Sequence, residues 1–174
     1  MSDIKTKYPS TSSTDLTITL ASLTSGASGV YTAGQESNAV DNTTNVDLDH
    51  LLSGIITTGT SPTASRVINV YAYANLSSAS GTPAYPDVLD GADSAETFTS
   101  ANVMNAAVRL VASMTVDSTS NRAYYFGPVS IANLFGGTLP KFWGVYVAHD
   151  TAVALNATAG NHKLSYERVQ GQTV

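Results

Sequence analysis

Short runs of alternating apolar and polar residues, cut apart by clusters of Gly, Pro, Asn, Asp and Ser, recur along this chain and point to strands joined by turns. After Asp15 the order Leu16, Ile18, Leu20 with Thr17 and Thr19 between them puts aliphatic side chains on one face of a strand and β-branched hydroxyls on the other. Similar runs fall at residues 30–37, 48–58, 66–74, 103–115, 122–127, 142–149, 152–156 and 163–169. Spacing of this kind predicts an all-β chain: an antiparallel jelly-roll-like sandwich of about 8–9 strands with at most one or two short helical turns. At 174 residues the chain has the length of one domain, expected over residues 16–174 and preceded by a polar N-terminal arm, residues 1–15. Such an arm either frays or lies on a partner.

One segment fits two periods. Val103, Ala106, Ala107, Leu110, Val111 and Met114 make a helical stripe, while Met104, Ala106, Val108, Leu110, Ala112 and Met114 alternate as in a strand. No capping box precedes the segment and no glycine cap follows it, so it is assigned to a strand. The best helical candidate is Ser130 to Phe135, where Ser130 can cap one turn before Gly136 and Gly137 end it. Two strands are apolar on both faces. In 66–74 the face opposite Ile68, Val70 and Ala72 carries Tyr71 and Tyr73; in 142–149 the face opposite Trp143, Val145 and Val147 carries Phe142, Gly144, Tyr146 and Ala148. Strands of this type lie under a covering loop or in an interface.

Charge and polarity narrow the partners. Eight Lys and Arg against 13 Asp and Glu give a net charge of −5, with no basic cluster to neutralise phosphates, so nucleic acid is a poor partner. Only 12% of residues are charged; 43 Ser and Thr supply the remaining polarity, and a charge-rich disordered tail or a coiled coil is excluded. The absence of cysteine removes disulfides and thiolate metal sites. Met1 to Asp15 is polar and no 18-residue apolar run occurs, so neither a signal peptide nor a membrane span is expected, and the mature chain is expected to start at Met1 and to be soluble.

Residues that carry chemistry are sparse. There are three histidines, His50, His149 and His162, and no nucleophile elbow, phosphate-binding glycine loop or zinc-protease helix motif accompanies them. His50 beside Asp49 and His149 beside Asp150 read as strand-end residues bonded to turns. No cofactor is expected, and the chain is assigned no enzymatic activity. Asp87, Asp90 and Asp93, with Glu96, make the densest acidic stretch and are weak candidates for a calcium-type oxygen site, although their spacing departs from the EF-hand. A solvated acidic turn is the simpler reading, as it is for Asp41, Asn42, Asn45, Asp47 and Asp49, because Asx side chains bond their own backbone in turns. The sequons at Asn42, Asn75 and Asn156 are no more than chance supplies in a chain this rich in Asn, Ser and Thr. The tyrosines Tyr71, Tyr73, Tyr124, Tyr125 and Tyr146 suit either a sugar-stacking platform or the edges of a core or interface, the second being favoured.

Several runs are familiar as a set. They are Val40 to Thr44, Ser53 to Ala64 leading into Val70-Tyr71-Ala72-Tyr73, Tyr85-Pro86-Asp87 before Gly91 to Ala95, Gly127 to Ala132, Phe135 to Pro140, Trp143-Gly144-Val145 and Asn156 to His162. Over about residues 30–170 the chain resembles a group of small virion-associated proteins of tailed bacteriophages. The resemblance implies a non-enzymatic structural protein, with no catalytic or ligand-binding residues to transfer. By analogy with small head proteins of this size it implies a capsid decoration or cement protein. Its partners are then the major capsid protein and copies of itself, most simply as a homotrimer, and neither nucleic acid nor membrane. Its location is the capsid surface, after synthesis in the bacterial host cytoplasm. Tyr8, Tyr71, Tyr73, Phe142 and Tyr146 are the expected interface residues. The alternative is a glycan- or receptor-binding β-sandwich module of a tail or head fibre.

Overall fold

The computed structural model describes residues 3–9, 11–45, 47–77 and 85–173, and these form an antiparallel β-sandwich. One sheet has the order β1 (Ile4–Lys7), β11 (Lys163–Thr173), β5 (Asp49–Thr57), β9 (Ala123–Ser130), with β2 (Thr14–Asp15) also paired to β11. The other has the order β7 (Ala95–Thr97), β3 (Ala33–Glu36), β10 (Phe142–His149), β6 (Val67–Asn75), β8 (Arg109–Thr115), with β4 (Val40–Asp41) paired to β10. Two short helices, α1 (Ala101–Ala107) and α2 (Ile131–Leu134), and a 3-10 turn at Ala159–Asn161 complete the elements. None of the described helices is long and apolar enough to cross a membrane.

The main core lies between the sheets. Leu52, Ile56 and Leu164 from the first meet Ile68, Val70, Ala72, Trp143, Val145 and Val147 from the second, and all nine are almost fully buried. Alternation makes this possible, since every second residue of β5, β6, β10 and β11 points inward. A second core forms on the far side of β6 and β10, where Tyr71, Tyr73, Tyr146 and Ala148 pack under Leu89, Phe98, Met104 and Val108. The molecule therefore has three layers: sheet, sheet, and a cover made of residues 85–100 and α1. Of the two readings of the two-faced strands, the covering segment is the one realised.

Three strand assignments change. Residues 101–107 are helical and only 109–115 form the strand, because the Ser100 hydroxyl accepts a hydrogen bond from the Val103 N–H at 3.2 Å and caps α1 without any capping box. The run 16–20 joins no ladder; Leu16 and Leu20 still enter the core, and Leu16 N–H bonds to Leu164 O. The run 152–156 contributes a single bridge, Thr58 to Leu155. Among the described residues the strand count rises to eleven through short pieces that pattern reading passes over, β1, β4 and β7 among them. Within the arm, Ile4–Lys7 pairs with Gln170–Thr173 of the chain's own last strand, and Asp15 with Ser165. Residues 1, 2 and 10 of the arm lie outside the described residues.

Candidate functional site

Burial decides which expected interface residues can touch a partner. Tyr73 and Tyr146 have 0% exposure, and Tyr71 and Phe142 have 8%. The first three are covered by the chain's own third layer, and all four are removed from the candidate interface. Their contacts are internal. The Tyr146 hydroxyl donates to Thr32 O at 2.7 Å and that of Tyr73 to Ser37 O at 3.2 Å, while Phe98 stands edge-on to Tyr146 with ring centres 5.1 Å apart. Tyr8 alone of the five is outside, at 57% exposure.

Tyr8 belongs to an exposed ribbon. Every side chain of β1 is exposed, as are Gly171, Gln172 and Thr173 of β11 beside it. Ile4 and Leu48 are left 78% and 58% exposed, and a Cβ placed on Gly171 would lie within 3.5 Å of both, so the two apolar side chains share one spot on the ribbon. Lys5 and Lys7 alternate with Ile4 and Thr6 along β1 and so project from the opposite face of the ribbon. A separate groove of about 300 Å³ lies on the outer face of the first sheet, between Ser53, Ile55, Tyr125, Lys163 and Ser165. Tyr125 presents its ring there at 70% exposure. Two residues along β11 from Ser165, on the same face, Glu167 holds a buried carboxylate oxygen without a hydrogen-bond partner. A groove of about 580 Å³ runs between Ala74, Leu76, Phe135, Leu139 and Pro140, with Lys141 at its rim.

The acidic stretch serves as a set of latches for the cover. Asp87 accepts from the Thr99 N–H and hydroxyl, both at 2.8 Å; Asp93 accepts from the Thr19 N–H and hydroxyl and from Gln35 Nε2; Asp90 accepts from the Ala92 N–H at 2.9 Å. The three candidate carboxylates thus do not converge on a common centre. The grouping that does occur is Glu36, Asp90 and Glu96, whose carboxylate oxygens come within 4.8 Å of one another. Glu36, missed by sequence reading, is fully buried at the end of β3 and accepts from the Asp90 and Gly91 N–H groups at 3.0 and 2.7 Å. Burial raises its carboxyl above the ordinary value, against the pull of the nearby Tyr73 hydroxyl and of the Asp90 and Gly91 N–H groups.

Each imidazole has both nitrogens engaged. His162 accepts from the Thr57 N–H and faces Asn156 O at 2.8 Å; His149 lies between Thr151 Oγ1 and Leu23 O. His50 is paired with Asp47, rather than the neighbouring Asp49, at 3.0 Å, and its other nitrogen accepts from Trp143 Nε1 at 2.9 Å. Asp49 instead accepts from the His50 and Ala132 N–H groups. Asp47 also takes Arg168 Nε at 2.8 Å and Gln170 Nε2 at 2.7 Å. Burial would raise the Asp47 carboxyl, but hydrogen bonds from Arg168, His50 and Gln170 hold it below the ordinary range. Burial lowers all three histidines, which favours their neutral forms. The arrangement around His50 has an acid and an imidazole in line, but the third member is an indole donor, which has no lone pair to attack a substrate. The sequon amides Asn42 and Asn156 are spent on Asp47 O and Asn121 Oδ1.

The chain matches no protein-family model, no curated protein and no solved structure.

Proposed function

We propose that this chain is a non-enzymatic structural protein of a bacteriophage virion, a decoration or cement protein that binds the major capsid protein at the head surface and stabilises the shell. The observation that carries this reading is the β1–β11 ribbon, where Ile4 and Leu48 share an exposed apolar spot, Tyr8 is exposed just beyond β1, and Lys5 and Lys7 project from the other face. An exposed apolar spot on a ribbon outside a well-filled core suits a docking contact. The resemblance over residues 30–170 suggests the particle, and analogy with small head proteins suggests the partner. Copies of the chain are taken to associate as a homotrimer, as closed symmetry around a shell axis favours. The test is cryo-electron microscopy of particles with and without the protein. Regular density over the shell, with weakened heads in its absence, is the expected result; density confined to a tail tip or fibres would overturn it.

A second reading rests on Tyr125. Its exposed ring, with Ser53, Ser165 and Lys163 around it and the unpartnered oxygen of Glu167 nearby, is the composition of a glycan-binding platform. Tyr125→Ala would abolish retention on host-surface glycans under this reading and leave head binding unchanged under the first.

A further inference from the structure

The hydrogen bond between Trp143 and His50 joins the two sheets through the main core, since Trp143 stands on β10 and His50 on β5. Both side chains are buried, at 0% and 1% exposure, and Tyr166 of β11 stacks on the imidazole with ring centres 4.5 Å apart. The partners fix the tautomer. An indole can only donate and a carboxylate can only accept, so the imidazole carries its proton on Nε2, toward Asp47, and offers the Nδ1 lone pair to Trp143.

We propose that His50 is an acid-sensitive clamp between the sheets, whose protonation at Nδ1 sets two N–H donors against each other and releases Trp143 from β5. The gained proton comes from solvent, and one N–H···N hydrogen bond is lost for each proton taken up. Asp47 retains its pairing with the imidazolium, but it is already shared with Arg168 and Gln170. The other charged or titratable groups near His50 are Asp49, whose carboxylate is turned to Ala132 N–H, and Tyr166 and Arg168 on β11. Glu167, the neighbour of Arg168, has its side chain on the opposite face of β11. Among the described residues, no hydrogen bond places a second carboxylate against Trp143 Nε1 to hold the displaced indole. Burial keeps the imidazole below its ordinary value of 6.5, against the raising effect of Asp47. The stabilisation is therefore complete above 6.5 and is lost as pH falls toward the folded value.

Trp143 is the sole tryptophan, so its fluorescence and its single indole N–H resonance report on the clamp alone. His50→Gln keeps one donor and one acceptor but does not titrate. The expected result is an acid transition, followed at Trp143, that lies at least one pH unit lower in His50→Gln than in the wild type. An unchanged midpoint in His50→Gln would overturn the proposal. Should that variant not fold, imidazole NMR of the wild type decides. The Nε2–H tautomer at neutral pH, with the indole resonance moving in step with imidazole protonation, is expected; an Nδ1–H tautomer, or an indole resonance indifferent to that protonation, would refute it.

Discussion

Gly144 faces Tyr73 across the β10–β6 ladder, and a Cβ at that position would run into the tyrosine ring and hydroxyl. The missing side chain is what allows Tyr73 to lie flat over the sheet and reach Ser37. Gly144→Ala is expected to cost about 1–3 kcal/mol as an overpacked core site, measured by denaturant unfolding. Gly160→Ala, where nothing lies within 4 Å, serves as the control and should change stability by no more than about 0.5 kcal/mol. Asp150 shows the electrostatic counterpart. It accepts from Val67 and Gly29 N–H at 2.8 and 2.9 Å and pairs with Arg66. Burial would raise its carboxyl, but these hydrogen bonds, with Tyr31, hold it below the ordinary 3.8. Its contribution is full above 3.8 and disappears as pH falls through the folded value. Asp150→Asn should cost about 1–3 kcal/mol at neutral pH, with the gap to the wild type closing in acid; a gap independent of pH would refute this assignment.

The cover of residues 85–108 shows which parts of the structure pattern reading reaches. That 66–74 and 142–149 are apolar on both faces is plain from the alternation, and so is the need for something to cover them. The identity of the cover is hidden, because its apolar residues Val88, Leu89 and Phe98 are scattered through a polar, acidic stretch and held by latches such as Asp87 to Thr99. The segment 103–114 satisfies both periods because it is both: a helix whose Met104 is part of the cover, then a strand whose Met114 enters the main core. A lone Ser100 cap and the exit at Val108 divide them, and neither stands out in sequence. Partner choice is the other hidden layer: His50 finds Asp47 and Trp143, the latter 93 residues away, while Asp49 beside it turns elsewhere. Ser100→Ala should destabilise by about 1 kcal/mol. Phe98→Ala, which empties the space against Tyr146, should cost about 3–5 kcal/mol. Hydrogen exchange in that variant is expected to rise over residues 85–108 while β5 and β11 stay protected; uniform loss of protection would mean that cover and sandwich unfold as one unit.

At the scale of the whole molecule, both ends of the described chain meet in a ribbon that the cores do not need. β1 adds four residue pairs to the end of β11, yet none of its side chains is buried, so removing it exposes almost no apolar surface of the sandwich. Deleting residues 1–9 should therefore leave the melting temperature of the isolated protein within ~4 °C, the shift that about 1 kcal/mol produces in a domain of this size. The same deletion removes Ile4, Lys5, Lys7 and Tyr8 from the proposed docking patch and leaves Leu48 alone. Binding to purified heads, measured by co-sedimentation, should weaken at least tenfold, equivalent to ~1.4 kcal/mol. Replacing Lys5 and Lys7 together by Glu tests the basic face of the ribbon separately. If that face meets an acidic shell, the double replacement weakens binding most at low salt, and the difference fades as screening grows. Full attachment by the deleted protein would remove the ribbon from the contact and turn attention to the outer sheet face around Tyr125.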